Sequence, residues 1–153
     1  KLKFILDGGS SNIGLESTII NLINKPKILR LGGIERSKIN KIFKKELKYS
    51  HIDKKNSVPG QSKLHYSPGI PVKLNVSKPK KHEAFILIKK RKKTYKNYFY
   101  LSKTKNLKQA AKNLYKILRL IKNKRYKSIS VEKIPNTSFG EVINDRLKRA
   151  SIK

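Results

Sequence analysis

The sequence predicts an α/β fold, because short apolar runs with strand character alternate with stretches of helical periodicity along its 153 residues. Residues 106–121 carry the clearest helical pattern, with apolar side chains at every third or fourth position. Runs rich in β-branched and aromatic residues are bounded by glycine, proline or asparagine, as strands are. No apolar run approaches the roughly 20 residues that a membrane helix needs, so no membrane partner is expected.

The first part of the chain is predicted to hold three strands and one helix. Residues 2–6 have the pattern of a strand that ends at a glycine turn, and residues 17–23 form a β-branched strand. Residues 27–31 form the strand that returns. Apolar residues at spacings of three to five predict a short amphipathic helix over residues 36–47.

Residues 48–70 have no apolar period and contain two prolines, two glycines and four serines. Unstructured connections longer than about 12–15 residues are uncommon and often functional. We therefore interpret this stretch as a linker with a function, which separates a second unit from the first.

The second unit is predicted to be a smaller α/β layer. Its strands are expected at residues 71–76, 84–90, 97–102 and 126–134. Asn106 is the predicted N-cap of the helix over residues 106–121. Residues 139–151 form a closing helix with Val142 and Ile143 turned inward.

The chain carries 39 basic and 9 acidic residues, a formal net charge of +30. Such a field attracts phosphate polymers. However, 32 of the 39 basic residues are lysines, and A/T-rich codons favour lysine, isoleucine and asparagine together, so both explanations of the charge stay open. The densest basic run, residues 89–93, lies near Tyr95, Tyr98 and Tyr100. It either grips single-stranded RNA or forms the solvated tip of a hairpin.

The composition gives no evidence for a metal site or a disulfide. The absence of cysteine excludes disulfides and thiolate metal sites, and the three histidines lack metal-ligand spacing. The sequence begins at Lys1 and shows no export signal. A fragment of a larger cytoplasmic protein is expected, with a processed mature chain as the alternative.

Residues 9–14, GSSNIG, match the first six positions of a phosphate-binding P-loop, but Leu15 and Glu16 stand where that loop needs Lys and Ser or Thr. A nest of backbone N–H groups and a simple glycine turn remain as interpretations. Ser17 has no triad partner and no nucleophile-elbow spacing, which excludes a serine hydrolase and leaves it able to bind a small polar ligand. Arg30 interrupts an apolar strand and either faces solvent or reaches into a site.

Four stretches follow one another along the chain. They are DGGSSNIGLESTIINL at residues 7–22, PKILRLGGI at 26–34, PGQSKLHYSP at 59–68 and FGEVINDRLKRAS at 139–151. In this order they resemble the conserved motifs of the threonylcarbamoyl-AMP synthase family, which has the YrdC-like fold, in its long form with a C-terminal domain.

The resemblance implies a domain organisation. Residues 1–47 correspond to the C-terminal part of a YrdC-like twisted open α/β sheet, residues 48–70 to a linker that serves as a lid, and residues 71–153 to a small Rossmann-like α/β domain. The family's N-terminal half, with its Lys-x-Arg nucleotide motif, has no counterpart in these residues. The chain alone is therefore expected to be inactive.

Members of this family are nucleotidyltransferases that make threonylcarbamoyl-AMP from L-threonine, bicarbonate and ATP and release pyrophosphate. The product serves the threonylcarbamoyladenosine modification of tRNA. The resemblance thus implies ATP as a substrate, together with Mg²⁺, and partners among tRNA-modification pathway proteins. A contact with tRNA or other RNA through the basic surface is a further expectation. No catalytic side chain is expected, because this chemistry needs groups that position anions and spread their charge.

The resemblance assigns candidate site residues to this sequence motif by motif. Ser17 matches the serine that contacts L-threonine. The expected ATP contacts are Arg30, Tyr66, Asn12 and Gly14. His65 lies beside Tyr66 in the linker, near the site. Two other functions stay open: a basic RNA-binding module without catalysis, and a docking domain for proteins of the modification pathway.

Overall fold

The computed structural model of the chain describes residues 3–9, 11–49, 58–60 and 66–151. These residues form two β-sheets and three helices. The strands are β1 (Ile19–Asn21), β2 (Lys27–Arg30), β3 (Lys48–Tyr49), β4 (Val72–Lys73), β5 (Glu83–Lys89), β6 (Tyr98–Ser102) and β7 (Ser128–Val131). The helices are α1 (Arg36–Phe43), α2 (Leu107–Asn123) and α3 (Phe139–Ser151). None of the helices described is long and apolar enough to cross a membrane.

The first sheet has the order β1-β2-β3, with β1 antiparallel and β3 parallel to β2. The strand predicted over residues 17–23 is shorter than expected, because the Asn21 side chain starts the turn by accepting a hydrogen bond from the Ile23 N–H at 2.7 Å. Asn24 then takes a left-handed conformation with φ of 60°.

The strand predicted over residues 2–6 is wrong. Residues 3–6 have no strand structure, and the side chains of Phe4 and Leu6 are 90% and 99% exposed. No strand among the described residues pairs with this segment. Its apolar pattern therefore has neither a hydrogen-bonded ladder nor a surface on which to pack.

The helix predicted over residues 36–47 ends earlier, at Phe43. Lys44 adopts a left-handed conformation and its N–H caps the carbonyls of Asn40 and Lys41. The chain then turns to form β3, a strand that the sequence did not predict.

The second sheet has the order β4-β7-β5-β6, and all its strands are parallel. The four strands predicted for this unit are confirmed; β4, β6 and β7 are shorter than predicted, and β5 begins and ends one residue earlier. The N-cap prediction is also confirmed, since the Asn106 side chain accepts a hydrogen bond from the Gln109 N–H at 2.9 Å. The hairpin considered for residues 89–93 is wrong, because β5 and β6 run parallel. The connection runs back from the carboxyl end of β5 to the amino end of β6. Just before β6, the Asn97 carbonyl accepts a hydrogen bond from the Phe85 N–H at 2.8 Å.

Both sheets contribute to one hydrophobic core. Ile28 and Leu31 from the first sheet belong to the same buried cluster as Leu114 of α2 and Ile143 of α3. The buried stripe of α2 comprises Ala110, Ala111, Leu114, Ile117, Leu118 and Ile121. The division into residues 1–47, 48–70 and 71–153 stays a prediction.

Candidate functional site

Arg30 at the end of β2 is the centre of the candidate site. Its side chain is turned inward, with the residue only 9% exposed, which decides against the solvent-facing alternative. The guanidinium Nε donates to the Ser17 carbonyl at 3.0 Å, and Nη2 donates to the Ser17 Oγ at 2.9 Å. Nη1 donates to the Pro59 carbonyl at 2.9 Å. The structure therefore brings Ser17 and Arg30 together, and Arg30 also bonds Pro59 in the predicted linker.

Gly32 allows the two chain segments of this site to cross. A Cβ at Gly32 would lie 2.3 Å from the Glu16 carbonyl oxygen and 2.4 Å from the Ser17 carbonyl carbon. The neighbouring Gly33 N–H donates to the same Glu16 carbonyl at 2.8 Å. Only glycine fits at such a close approach of two backbones.

Tyr66 packs close to this pair from the linker side. Its hydroxyl donates to the Glu16 Oε1 at 2.9 Å, and its ring stacks on Tyr115 with a centroid distance of 5.6 Å. Burial raises the pKa of Tyr66 to about 12, so the phenol stays neutral and available as a donor at physiological pH. A Cβ at Gly60 would lie 2.4 Å from the Tyr66 hydroxyl oxygen, so the linker glycine leaves room for that hydroxyl.

The other predicted site residues lie elsewhere or outside the described part of the chain. Asn12 is exposed, and Gly14 lies against α2, where a Cβ would meet the Lys112 carbonyl at 2.8 Å. No hydrogen bond joins either residue to Arg30 within the described part of the chain. His65 lies outside the described residues. The roles given to Ser17, Arg30, Tyr66, Asn12, Gly14 and His65 stay predictions.

A largely buried cluster of charged residues contacts the candidate site. We call it the α3 network, and its members are Glu16, Asp145, Arg146 and Arg149. Arg146 is its centre, with a side chain that is fully buried. Its Nη2 donates to the Glu16 Oε2 at 3.1 Å and to the Leu31 carbonyl at 2.7 Å. Its Nη1 donates to the Asp145 Oδ2 at 2.5 Å.

Aromatic groups complete the surroundings of Arg146. Its Nε donates to the Tyr115 hydroxyl at 3.2 Å, and its guanidinium carbon lies 4.8 Å from the centroid of the Tyr66 ring. Arg146 thus contacts the loop that carries Ser17, the strand end after Arg30, and the linker tyrosine.

Asp145 extends the network to the first sheet. Its Oδ1 accepts from the Tyr49 hydroxyl at 2.6 Å, and its Oδ2 accepts from the Arg149 Nε at 3.2 Å. The Arg149 Nη2 in turn donates to the Tyr49 hydroxyl at 3.2 Å. Strand β3 is thereby fixed to α3.

The carboxylates of the α3 network stay ionised. Burial opposes the ionisation of Glu16, but Arg146 and the hydrogen bond from Tyr66 outweigh it and hold the pKa below the ordinary value. For Asp145, burial is likewise outweighed by the hydrogen bonds from Tyr49 and Arg149, which lower its pKa. Charge compensation therefore keeps this cluster intact at neutral pH.

A sequence profile described as the C-terminal domain of threonylcarbamoyl-AMP synthase matches residues 34–151. The chain belongs to the threonylcarbamoyl-AMP synthase family. The resemblance inferred from the sequence motifs is confirmed.

Named threonylcarbamoyl-AMP synthases are similar to nearly all of the chain. The protein of Pyrococcus abyssi (strain GE5 / Orsay) is 29% identical, over 99% of this chain and 50% of its own. That of Bacillus subtilis (strain 168) is 27% identical, over 96% of this chain and 48% of its own. The chain therefore spans about half the length of these relatives.

A solved structure supports the fold. The crystal structure of P. abyssi Sua5 complexed with L-threonine matches with a TM-score of 0.76 and 26% sequence identity. The match covers 95% of this chain and 48% of that chain. The predicted α/β fold class is confirmed.

Sequence reasoning did not assign the α3 network of this synthase-family chain. Arg146 stands three residues after Ile143 and four after Val142, on the stripe that was predicted to face inward. An arginine on the buried stripe of an amphipathic helix requires a partner. That position was the available signal, but the sequence does not say that Glu16, 130 residues away, is one partner.

Proposed function

We propose that this chain supplies one wall of a threonylcarbamoyl-AMP synthase site, in which L-threonine, bicarbonate and ATP give threonylcarbamoyl-AMP and pyrophosphate for tRNA modification. The observation that carries the proposal is the buried Arg30 guanidinium, held between Ser17 and the linker carbonyl of Pro59. A similar P. abyssi protein has been solved with L-threonine, which supports a threonine-binding role.

The proposed reaction needs no nucleophilic side chain. The amino nitrogen of threonine attacks the carbon of bicarbonate and water leaves, which gives a carbamate. A carbamate oxygen then attacks the α-phosphorus of ATP. The bond to the β-phosphate breaks, and pyrophosphate leaves with its electron pair. What the protein contributes is the positioning of two anions and the neutralisation of charge.

Ser17 is suited to bind the amino-acid substrate. Its Oγ already accepts a hydrogen bond from Arg30, so its own O–H is left to donate to an acceptor such as a carboxylate. Ser17 is also exposed, although Arg30 beside it is not. Hydrogen bonds to described residues use three of the five N–H groups of Arg30. We assign the other two to the proposed phosphate contact.

Mg²⁺ is proposed to enter with ATP as part of the substrate. Among the residues described, no group of three or more histidine, cysteine, aspartate or glutamate side chains is placed to hold a metal ion. Mg²⁺ bound to nucleotides is held largely by phosphate oxygens and water, so the residues present are compatible with this form of delivery.

Substitutions at Ser17 and Arg30 test the proposal in a protein that joins this chain to the remaining half of the family's fold. Ser17→Ala should raise the KM for L-threonine, and Arg30→Lys should raise the KM for ATP. We expect each change to be about tenfold, the cost of a lost hydrogen bond to a charged group. Thr18 pairs with Ile34 instead, through its hydroxyl at 2.8 Å, so Thr18→Ser is the matched control. Unchanged KM values in both variants would contradict the proposal.

The chain alone is proposed not to form the adenylate. It spans about half the length of its relatives, and its own residues supply one wall of the site. Pyrophosphate release from ATP, L-threonine and bicarbonate by the 153-residue chain would refute this. The cytoplasmic location and the contacts with pathway proteins remain predictions.

A basic RNA-binding module without catalysis is the second candidate function. The observation that favours it is the run of five consecutive basic residues at 89–93, all exposed. Under this alternative, the joined protein forms no threonylcarbamoyl-AMP, and changes at Arg30 leave RNA binding unaltered.

A further inference from the structure

A cleft of about 520 Å³ lies at the carboxyl edge of the second sheet. Its walls are the carboxyl end of β5 and the segments that follow β5, β6 and β7. We call it the carboxyl-edge cleft. It shares no lining residue with the candidate site around Arg30.

The position of this cleft is one at which open parallel sheets bind ligands. The chain leaves β5 towards β6 on one side, and leaves β7 for α3, which packs against β4 on the other side. The connections diverge there and leave a crevice outside the carboxyl ends of the strands. The proposed synthase site does not use it.

The lining of the cleft is strongly cationic. Its basic residues are Lys89, Lys90, Arg91, Lys92, Lys105 and Lys133. Glu132 is the acidic residue of the lining, and both its oxygens are occupied. Its Oε1 accepts from the Ile88 N–H at 2.5 Å, and its Oε2 accepts from the Arg91 Nη2 at 2.7 Å.

The five lysines therefore have no carboxylate partner among the described residues. Lys105 also directly precedes Asn106, the N-cap of α2, and no acidic residue lies in the first turn of that helix. The positive end of the helix dipole thus adds to the field of the lysines. Five like charges around one cleft repel one another, and a ligand that carries several negative charges relieves that repulsion.

We propose that the carboxyl-edge cleft binds phosphate groups, either of a nucleotide or of an RNA strand. Lysine binds phosphate as a point charge and needs no fixed planar geometry, which suits flexible side chains at strand ends. The number of unpaired lysines fits a ligand with more than one phosphate charge. The cleft volume lies within the range of small-ligand sites, and its open side can admit one or two nucleotides of a longer strand.

Two lysine triples of equal charge test the proposal in the full 153-residue chain. The cleft triple is Lys90→Gln, Lys92→Gln and Lys133→Gln. The control triple is Lys81→Gln, Lys124→Gln and Lys127→Gln, at exposed lysines that precede β5 and β7 and so lie at the opposite, amino edge of the sheet. The probes are sodium pyrophosphate, a short single-stranded RNA, and polyglutamate of similar charge. Affinity is measured over a range of salt concentrations, and amide NMR shifts locate the binding.

We expect the cleft triple to weaken binding of pyrophosphate, RNA or both by at least about tenfold, and the control triple to change it by less than about twofold. For RNA, the slope of log affinity against log salt should fall by about 2 with the cleft triple. If the cleft triple weakens the binding of pyrophosphate alone, the ligand is a nucleotide. If it weakens the binding of RNA alone, the ligand is an RNA strand. The proposal would be overturned if both triples weakened binding equally or if neither weakened it. It would also be overturned if polyglutamate bound as tightly as the phosphate probes and lost affinity equally in the cleft triple. Adenylate formation by the joined protein plays no part in this test, so its outcome is independent of the synthase proposal.

Discussion

The α3 network and the carboxyl-edge cleft use charge in opposite ways within one chain of net charge +30. In the α3 network two carboxylates meet two arginines, and the cluster is largely buried. In the cleft six cations surround one glutamate, and the basic side chains are exposed. The overall charge of the protein therefore does not distinguish the two regions; the local balance of charges does.

The two regions also differ in their basic residue types: the basic residues of the α3 network are both arginines, and those of the cleft are five lysines and Arg91. Among the described residues, the buried basic ones are all arginines, Arg30, Arg146 and Arg149, although only 7 of the 39 basic residues of the chain are arginine. Arginine offers five donors in a fixed plane, which allows Arg146 to serve two carboxylates, a carbonyl and a tyrosine at once. Lysine, a strongly hydrated point charge, supplies five of the six cations of the cleft.

Removal of Arg146 should give the largest effect. Arg146→Met leaves Glu16 without its arginine partner and removes one of the two arginines that pair with Asp145. Breaking such a buried pair costs about 3–5 kcal/mol in the free energy of unfolding. Urea denaturation measures it. Arg119→Met, at an exposed position on α2, is the matched control and should change stability by less than about 0.5 kcal/mol. A loss below about 1 kcal/mol for Arg146→Met would mean that the network does not hold the two sheets together.

Gly32→Ala should give a smaller loss beside the α3 network. The new methyl group would overlap the backbone of Glu16 and Ser17, and overpacking of this kind costs about 1–3 kcal/mol. Gly8→Ala is the control, because a Cβ there meets no atom within 4 Å. Equal stability of the two variants in urea would show that the 16–17 segment can move away from Gly32 at no cost.

Acid should weaken the α3 network. The pKa values of Glu16 and Asp145 are lower in the folded protein than their ordinary values of 4.5 and 3.8. Their contribution to stability is thus complete above those ordinary values and is lost as the pH falls through and below them. The free energy of unfolding, measured between about pH 6 and pH 3, should fall less steeply in Glu16→Gln than in the unaltered chain.

The exposed Glu46 provides the control for the acid titration. Its side chain is 75% exposed and pairs with Arg36 at the surface, where an ion pair contributes little. Glu46→Gln should therefore leave the pH dependence nearly unchanged. A steeper fall in Glu16→Gln than in the unaltered chain would contradict the assignment of Glu16 as an ionised partner of Arg146.

Removal of cleft charge should have the smallest effect on stability. Lys92→Gln relieves like-charge repulsion at an exposed position, so the free energy of unfolding should stay constant or rise by a few tenths of a kcal/mol. Thermal unfolding at low and high salt measures it, and any gain should disappear at high salt because salt screens the repulsion. A clear loss of stability would show that Lys92 makes a structural contact.

The sequence predicted the features that depend on residues close together in the chain, and missed those that depend on residues far apart. Helices α2 and α3 were predicted closely, because their apolar stripes and the Asn106 cap are local signals. Strand β3 has two residues, and its pairing with β2 depends on tertiary structure that no local pattern records. The parallel pairing of β5 with β6 was missed for the same reason.

The candidate site was predictable to a similar extent. The ordered motifs selected Ser17, Arg30 and Tyr66, and the structure places Arg30 in contact with Ser17 and with the linker. The α3 network was missed because its members lie up to 130 residues apart in sequence. A buried arginine can be suspected from its place on a helix, but its partners can be found only in the fold.

Kinetics of the joined protein with Arg30→Ala test the central claim most directly. The assay is pyrophosphate release from ATP, L-threonine and bicarbonate, and the control is the triple of Lys81→Gln, Lys124→Gln and Lys127→Gln. We predict that Arg30→Ala lowers kcat/KM for ATP by at least about tenfold, through loss of a charged contact to phosphate. The control triple should stay within about twofold of the unaltered protein. Equal rates for Arg30→Ala and the control, or no activity in the unaltered joined protein, would contradict the assignment of this chain as a wall of the synthase site.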